Sequence, residues 1–308
     1  MKIMFMGTPE FACVSLKKLI EKGYDVTSVV TTEDKPRGRG HKMTPPAVFE
    51  CAKEHGVSSV YQPINLKKEN FEDILIKEAP DMIVVVAYGK LLPEYVINYP
   101  KYGCINVHGS LLPKYRGAAP MQWTLIDGEE EAGVTTMYMD TGLDTGDMLL
   151  KSSFKLTMDD DFGIVHDRLA CMGAELLTET IEKIISGDIE RIAQGDATTH
   201  YAHMITKEMT FINWNDDAVK IANLIRGLTP VPKASGEING KMFKILKAYP
   251  IDCNAEGKCG SVAKVNEDSF DVICGNNSML RIFKIQPEAK KAMTVSDYLK
   301  GNKIELDK

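Results

Sequence analysis

Asn106 and His108 stand two residues apart in the stretch CINVHGSLLPKYRGAAP, residues 104–120. A short apolar run, Cys104-Ile105, leads into them, and in a strand residues i and i+2 face the same way. A carboxamide and an imidazole can therefore point together into one cleft. Gly109 follows, where the chain can bend with no side chain in the way. Ser110, Leu111, Leu112 and Pro113 then supply backbone polar groups and apolar walls beside the pair. Asn plus His beside a partly apolar loop suits chemistry in which an oxyanion forms and a proton moves. Ser110 has no base beside it in a nucleophile-elbow context, so it is assigned no covalent role.

Such a pair needs a rigid scaffold. Residues 1–6 (MKIMFM) read as the buried first strand of an α/β domain. Gly7-Thr8-Pro9 turns the chain, and 10–22 carries helical periodicity through Phe11, Val14, Leu19 and Ile20, ending at Gly23. Residues 25–31 form a second strand, so the opening is a right-handed βαβ unit of a parallel sheet. A GxGxxG fingerprint is absent after the first strand, which argues against a nicotinamide cofactor. Helices are expected over 47–55 and 67–77, with a short strand at Val60-Tyr61 between them. The run DMIVVVA, 81–87, reads as a central parallel strand. Ligands in open α/β sheets bind outside the carboxyl ends of strands. The loops after residue 87 and after Asn106 both leave such ends, which suggests one pocket between them.

Residues 133–139 alternate as a strand and run into Asp140-Thr141-Gly142-Leu143-Asp144-Thr145-Gly146-Asp147. This acidic turn lacks the spacing of a calcium loop. A long amphipathic helix over 161–186 places Ile164, Leu169, Leu176, Leu177, Ile181 and Ile184 on one face, behind three aspartates favourable at a helix N-terminus. Residues 187–205 have no firm periodicity and read as a linker. A second domain is expected over 206–308, with a helix at 216–226, four or five short strands and a closing helix at 294–300. That pattern fits a small OB-like barrel. The expected architecture is thus a Rossmann-like, open, mostly parallel sheet over 1–186, followed by the barrel.

Composition sets outer limits. The chain has 308 residues, 44% hydrophobic and 26% charged, ordinary for a globular protein with two cores. No apolar run reaches the roughly 18 residues that a bilayer crossing needs, and the N-terminus has no signal-peptide pattern. The seven cysteines are scattered without CxxC pairing, so free thiols in a reducing, cytoplasmic compartment are expected, with no metal and no disulfide. The net charge of −6 does not suggest nucleic acid. From Thr206 onward, however, 16 Lys/Arg face 13 Asp/Glu, a weakly basic balance. Residues 33–46 (EDKPRGRGHKMTPP) concentrate Lys35, Arg37, Arg39, His41 and Lys42 among glycines and prolines. Such a stretch is either a solvated surface loop or an arm that meets phosphates and orders on binding.

The pattern Asn-x-His-x-Ser-Leu-Leu-Pro-x-x-Arg-Gly-x-x-Pro resembles the signature of the folate-dependent formyltransferases. The opening MKIMFMGTPEFA, the later MDTGLDTGDM and the separate C-terminal part extend the resemblance over nearly the whole chain. The resemblance implies 10-formyltetrahydrofolate as co-substrate and initiator methionyl-tRNA as formyl acceptor, with no membrane and no metal; a monomer is expected. It assigns Asp144, in LDTG, as the acidic partner of His108; the chemistry of the transfer adds an expected role for Asp144 as proton relay, through water, from the amine to N10. Ser110, Leu111, Leu112 and Pro113 are the expected folate contacts. Arg37, Arg39 and Lys42 are expected against the tRNA acceptor end, Arg39 first. The amine itself would attack the formyl carbon, with Asn106 and His108 on the developing oxyanion. Other readings are a formyltransferase for an amino sugar or glycinamide ribonucleotide, a formyl-folate hydrolase, and a non-catalytic RNA-binding module. The cationic loop and the C-terminal domain argue for the tRNA.

Overall fold

The buried run at the N-terminus becomes β1 (Lys2–Gly7), whose last five residues are shielded from solvent. It is followed by α1 (Glu10–Glu21) and β2 (Asp25–Val30), with β2 parallel to β1. A computed structural model describes residues 1–37, 42–253 and 255–306. The cationic stretch does not stay irregular. Residues β3 (Lys35–Arg37) and β4 (Lys42–Thr44) pair antiparallel, with Arg37 in register with Lys42. Three-residue strands carry no readable period, which is why the Gly/Pro-rich sequence reads as loop. Arg39 lies outside the described residues, as does His41, and of Arg37 only the backbone is described.

The chain continues through α2 (Ala47–Glu54), β5 (Ser59–Tyr61), α3 (Lys68–Glu78) and β6 (Met82–Val86). A one-turn helix α4 (Glu94–Ile97), too short to show periodicity, precedes β7 (Cys104–His108). Then come α5 (Pro120–Ile126), β8 (Glu131–Tyr138), β9 (Met148–Lys155) and α6 (Phe162–Ser186). The strands order β5-β2-β1-β6-β7-β8-β9 in a seven-stranded sheet. Pairings from β5 through β7 are parallel, and β7 to β8 is antiparallel. The strand order reverses between β1 and β6, the switch point of a Rossmann-like sheet. β6 and β7 are buried along their whole length, as central strands covered on both faces must be.

Two compact units divide the chain. The first comprises Met1–Gly117, Gly133–Phe154 and His166–Tyr201. In it α6 lies close against the strands that carry the candidate site. A Cβ at Gly173 would stand 3.0 Å from Val107 Cγ1 and 3.4 Å from Val134 Cγ2, so a larger residue would have to push those side chains aside. Leu169, Leu176, Leu177, Ile181 and Ile184 are buried as the periodicity predicts, but Ile164 is exposed. It sits in the first turn, where Asp161 Oδ1 caps the helix by accepting from the Ile164 N–H at 3.0 Å. Residues 187–201, without helix or strand pattern, also lie in this unit; Ile192 exchanges two backbone hydrogen bonds with Met148 (2.8 and 2.9 Å).

The second unit comprises Ala118–Ala132, Lys155–Val165 and Ala202–Lys308. It contains α7 (Ala218–Leu228), capped by Asp217, then β10 (Ala234–Ile238), β11 (Lys241–Ile251), β12 (Val262–Val265), β13 (Phe270–Ile273), β14 (Met279–Pro287), β15 (Met293–Thr294) and α8 (Val295–Leu299). The strands expected here form one antiparallel sheet, ordered β10-β11-β14-β13-β12, with β15 on β14. Alternate residues of β11 and β14 join Ile221, Ile225 and Leu228 of α7 in its core.

Candidate active site

β7 is held between β6 and β8, with Asn106 opposite Val85 on one side and Met137 on the other. His108 pairs with Thr135. The ladder on both sides fixes the backbone, so the i, i+2 spacing puts both side chains on one face of the sheet. Asn106 is 9% exposed and His108 6%. Among the described residues nothing hydrogen-bonds the Asn106 carboxamide. The carboxamide is still open to solvent, so water meets it until a ligand takes that place.

His108 is held at one edge of its ring and faces a carboxylate at the other. Nε2 lies 3.0 Å from the Tyr115 carbonyl, which can only accept, so Nε2 carries a proton. Nδ1 lies 3.7 Å from Asp144 Oδ1, near but outside hydrogen-bond range. The imidazole was expected to offer a second donor to an oxyanion. With Nε2 committed to Tyr115, Nδ1 is the ring nitrogen left for substrate.

The three aspartates of the 140–147 loop separate by environment. Asp140 Oδ1 closes the turn, accepting from Gly142 N–H (3.0 Å) and Thr145 Oγ1 (2.7 Å). Asp147 pairs with Arg191 at 3.0 Å, and that guanidinium also stacks over the Tyr138 ring. Both are structural, as their turn positions suggest. Asp144 alone faces the imidazole. Its Oδ2 accepts from the Gly117 N–H at 3.0 Å, and its backbone is left-handed, φ 55°. The loop closes tightly because Gly146 packs against the Tyr138 carbonyl, where a Cβ would collide.

The loop after β7 is clamped from beneath by Thr135, which is fully buried. Its hydroxyl donates to Ser110 O (2.7 Å) and accepts from Leu112 N–H (3.2 Å). The Ser110 hydroxyl is itself spent on Lys114 O at 2.6 Å. Leu112 is buried with Met137 and Met148, and Lys151 Nζ holds its carbonyl at 2.5 Å. Partial burial lowers the Lys151 pKa below the ordinary lysine value. Leu111 lies over Gly133, and it and Pro113 stay partly exposed. The two leucines after β6 also part ways. Leu92 is core, whereas Leu91 is 73% exposed, and Lys90 Nζ is bound to the carbonyls of Pro63 and Ile64. Among the described residues, no group of three or more His, Cys, Asp or Glu is placed to hold a metal ion.

Thr135→Val is isosteric but removes both bonds of the clamp. Each backbone group left unpaired should cost about 1–3 kcal/mol. The melting temperature is expected to fall by about 2–4 °C per kcal/mol, with a raised KM for the co-substrate. An unchanged melting temperature would rule the clamp out.

The Formyl transferase model matches residues 1–181, and the Formyl transferase C-terminal domain model residues 204–303. The chain belongs to the formyl transferase family. It is 51% identical over 305 residues to the methionyl-tRNA formyltransferase of Caldanaerobacter subterraneus subsp. tengcongensis, covering 99% of this chain and 98% of that one. An N-formyltransferase from Helicobacter canadensis, solved with folinic acid and dTDP-3-aminofucose, shares the fold at TM-score 0.68 and 19% identity, covering 92% of this chain and 98% of its own. HypX from Aquifex aeolicus, solved with tetrahydrofolic acid, superposes at TM-score 0.62 and 16% identity over 98% of this chain. This formyl transferase spans about half, 47%, of the HypX chain.

Sequence reasoning missed four residues of this formyl transferase's candidate site. Tyr115 holds the imidazole through its carbonyl; Thr135 clamps the loop; Gln194 and Arg116 are bonded to each other and to the loops on either side. Gln194 Nε2 donates to Asp144 O (2.9 Å) and Gly146 O (2.7 Å). Arg116 Nε donates to Gln194 Oε1 (3.0 Å) and Nη2 to Gly195 O (2.8 Å). Only the Arg116-Gly117 step of the signature hinted at any of them.

Proposed function

We propose that the protein transfers the formyl group of 10-formyltetrahydrofolate to the α-amine of methionyl-initiator tRNA. The observation that carries the chemistry is the meeting of His108 Nδ1 and Asp144 Oδ1 at 3.7 Å beside an Asn106 carboxamide that has no partner among the described residues. The acceptor rests on the likeness to a methionyl-tRNA formyltransferase, which runs through both matched regions.

The amine is its own nucleophile, so the protein supplies charge stabilisation and a proton path. As the amine meets the formyl carbon, negative charge grows on oxygen and positive charge on nitrogen. Asn106 Nδ2–H donates to that oxygen. One well-placed donor of this kind is worth roughly 3–4 kcal/mol. His108 takes the amine proton on Nδ1, and Asp144 Oδ1 faces the imidazolium so formed. The proton then passes to N10 of the folate as the carbon–nitrogen bond breaks. Leu111 and Pro113, partly exposed on the clamped loop, present an apolar edge to the folate, and Leu112 and Ser110 hold that loop in shape. Initiation of translation places the enzyme in the cytoplasm.

Incubation with 10-formyltetrahydrofolate and charged initiator tRNA should yield N-formylmethionyl-tRNA. Formylation of an amino-sugar nucleotide with none on the tRNA would overturn the assignment. The β3–β4 hairpin is the proposed contact with tRNA phosphates, through Arg37, Arg39 and Lys42. Neutralising all three should weaken tRNA binding and flatten the slope of log K against log salt by roughly 2–3, since each phosphate contact contributes about 0.7–0.9. An unchanged slope would reject the hairpin contact.

A further inference from the structure

We infer that Gln194 is a positioning residue for the site's carboxylate, acting through the backbone of Asp144. The inference rests on the reading of Asp144 as the acidic partner of His108. Gln194 lies in the patternless segment 187–201 of the first unit, fifty residues beyond Asp144.

A primary amide offers two N–H donors and a carbonyl acceptor. Gln194 uses all three functions: one N–H on Asp144 O, the other on Gly146 O, and Oε1 on Arg116 Nε. Arg116 directly precedes Gly117, whose N–H holds Asp144 Oδ2. The bonds close a ring that runs from the Asp144 main chain through Gln194, Arg116 and Gly117 to the Asp144 side chain. The ring is anchored outside itself. Ile192 is bridged to Met148, and Thr199 Oγ1 accepts from the Tyr115 N–H at 2.7 Å. Tyr115 in turn holds the imidazole.

This matters because Asp144 adopts φ 55°. Outside glycine that region is uncommon, and although aspartate tolerates it better than most residues, the conformation is kept where its surroundings hold it. Two donors on the carbonyls of residues 144 and 146 provide that hold. Without them the loop relaxes, and Oδ1 leaves its place beside Nδ1. No other side chain does the same work. Glutamate keeps the acceptor for Arg116 but turns a carboxylate on two carbonyls. Asparagine is one methylene short. Lysine donates but cannot accept from Arg116.

The test uses the full-length protein with Gln194→Ala and the near-isosteric Gln194→Met, each alone and combined with Asp144→Asn. Single-turnover formylation should slow on the order of a hundredfold in either single variant, the scale of a misplacement of about 1 Å. The KM for formyl-folate should stay within about threefold, because the lost contacts lie behind the acid. On the Asp144→Asn background the same substitutions should cost less than about twofold, since effects that run through one group do not multiply. Hydrogen exchange of the segments 115–117 and 144–147 should quicken by about tenfold as the Gly117 N–H loses its acceptor. A full hundredfold cost on the Asp144→Asn background, or unchanged exchange in both segments, would overturn the role. A wild-type protein that formylates no amine would overturn the proposed function instead, and the exchange experiment would still judge Gln194.

Discussion

Asn106→Ala is expected to lower the single-turnover rate of formyl transfer by roughly a hundredfold to a thousandfold, the loss associated with one oxyanion donor. The co-substrate KM should move by only a few fold. The charge that the carboxamide meets exists in the transition state and hardly at all in the ground state, so its removal is a kcat effect. The fold should survive. Asn106 is paired with Val85 and Met137 through its backbone, and its side chain has no partner among the described residues whose loss would be felt. Asn106→Asp separates shape from charge. It keeps the volume but sets a carboxylate against the growing oxyanion, so it should be at least as slow as alanine. A variant whose KM rises while its single-turnover rate holds would make Asn106 a ground-state binding residue and remove it from the chemistry.

What could be read beforehand follows the range of the forces involved. The strands β1 and β6 were legible because a strand buried on both faces must be apolar, and residues 3–6 and 82–86 are. Asn106 and His108 were legible because a period of two is a local property of one strand. β9 was not. It buries Met148, Leu149 and Phe154 around a polar centre, Lys151-Ser152-Ser153, so only its place beside β8 makes it a strand. Leu91 and Leu92, like Leu111 and Leu112, are identical in sequence terms. Which of each pair enters the core is decided by loop geometry after the strand ends. The same limit hid Gln194 and Tyr115. Gln194 has its partners in loops 48–78 residues away, and Tyr115 acts through a carbonyl that every residue possesses. The 3.7 Å approach of Asp144 to His108 was assigned from a resemblance, because spacing along the chain says nothing about two loops from different strands.

Asp144→Asn tests that approach directly, and its outcome can be argued atom by atom. Asparagine enters the left-handed region more readily than most residues, so φ 55° is retained without added strain. The Gln194 bonds reach the main chain and persist. The Gly117 N–H needs an acceptor, which the carboxamide meets with its oxygen. That choice leaves its NH2 group toward His108 Nδ1. Because Nε2 already donates to Tyr115, Nδ1 is a lone pair in the neutral ring, and a donor facing it fixes it as an acceptor. The imidazole then cannot take up the amine proton, and the carboxylate that would face the resulting cation is gone. The single-turnover rate is expected to fall by about a hundredfold to ten-thousandfold, the range for loss of a positioned proton-transfer group. Formyl-folate affinity should change far less, and the melting temperature should hold. A large loss of folate affinity with an undiminished chemical step would turn Asp144 into a residue that binds the co-substrate, and the proton path would then have to run through His108 without it.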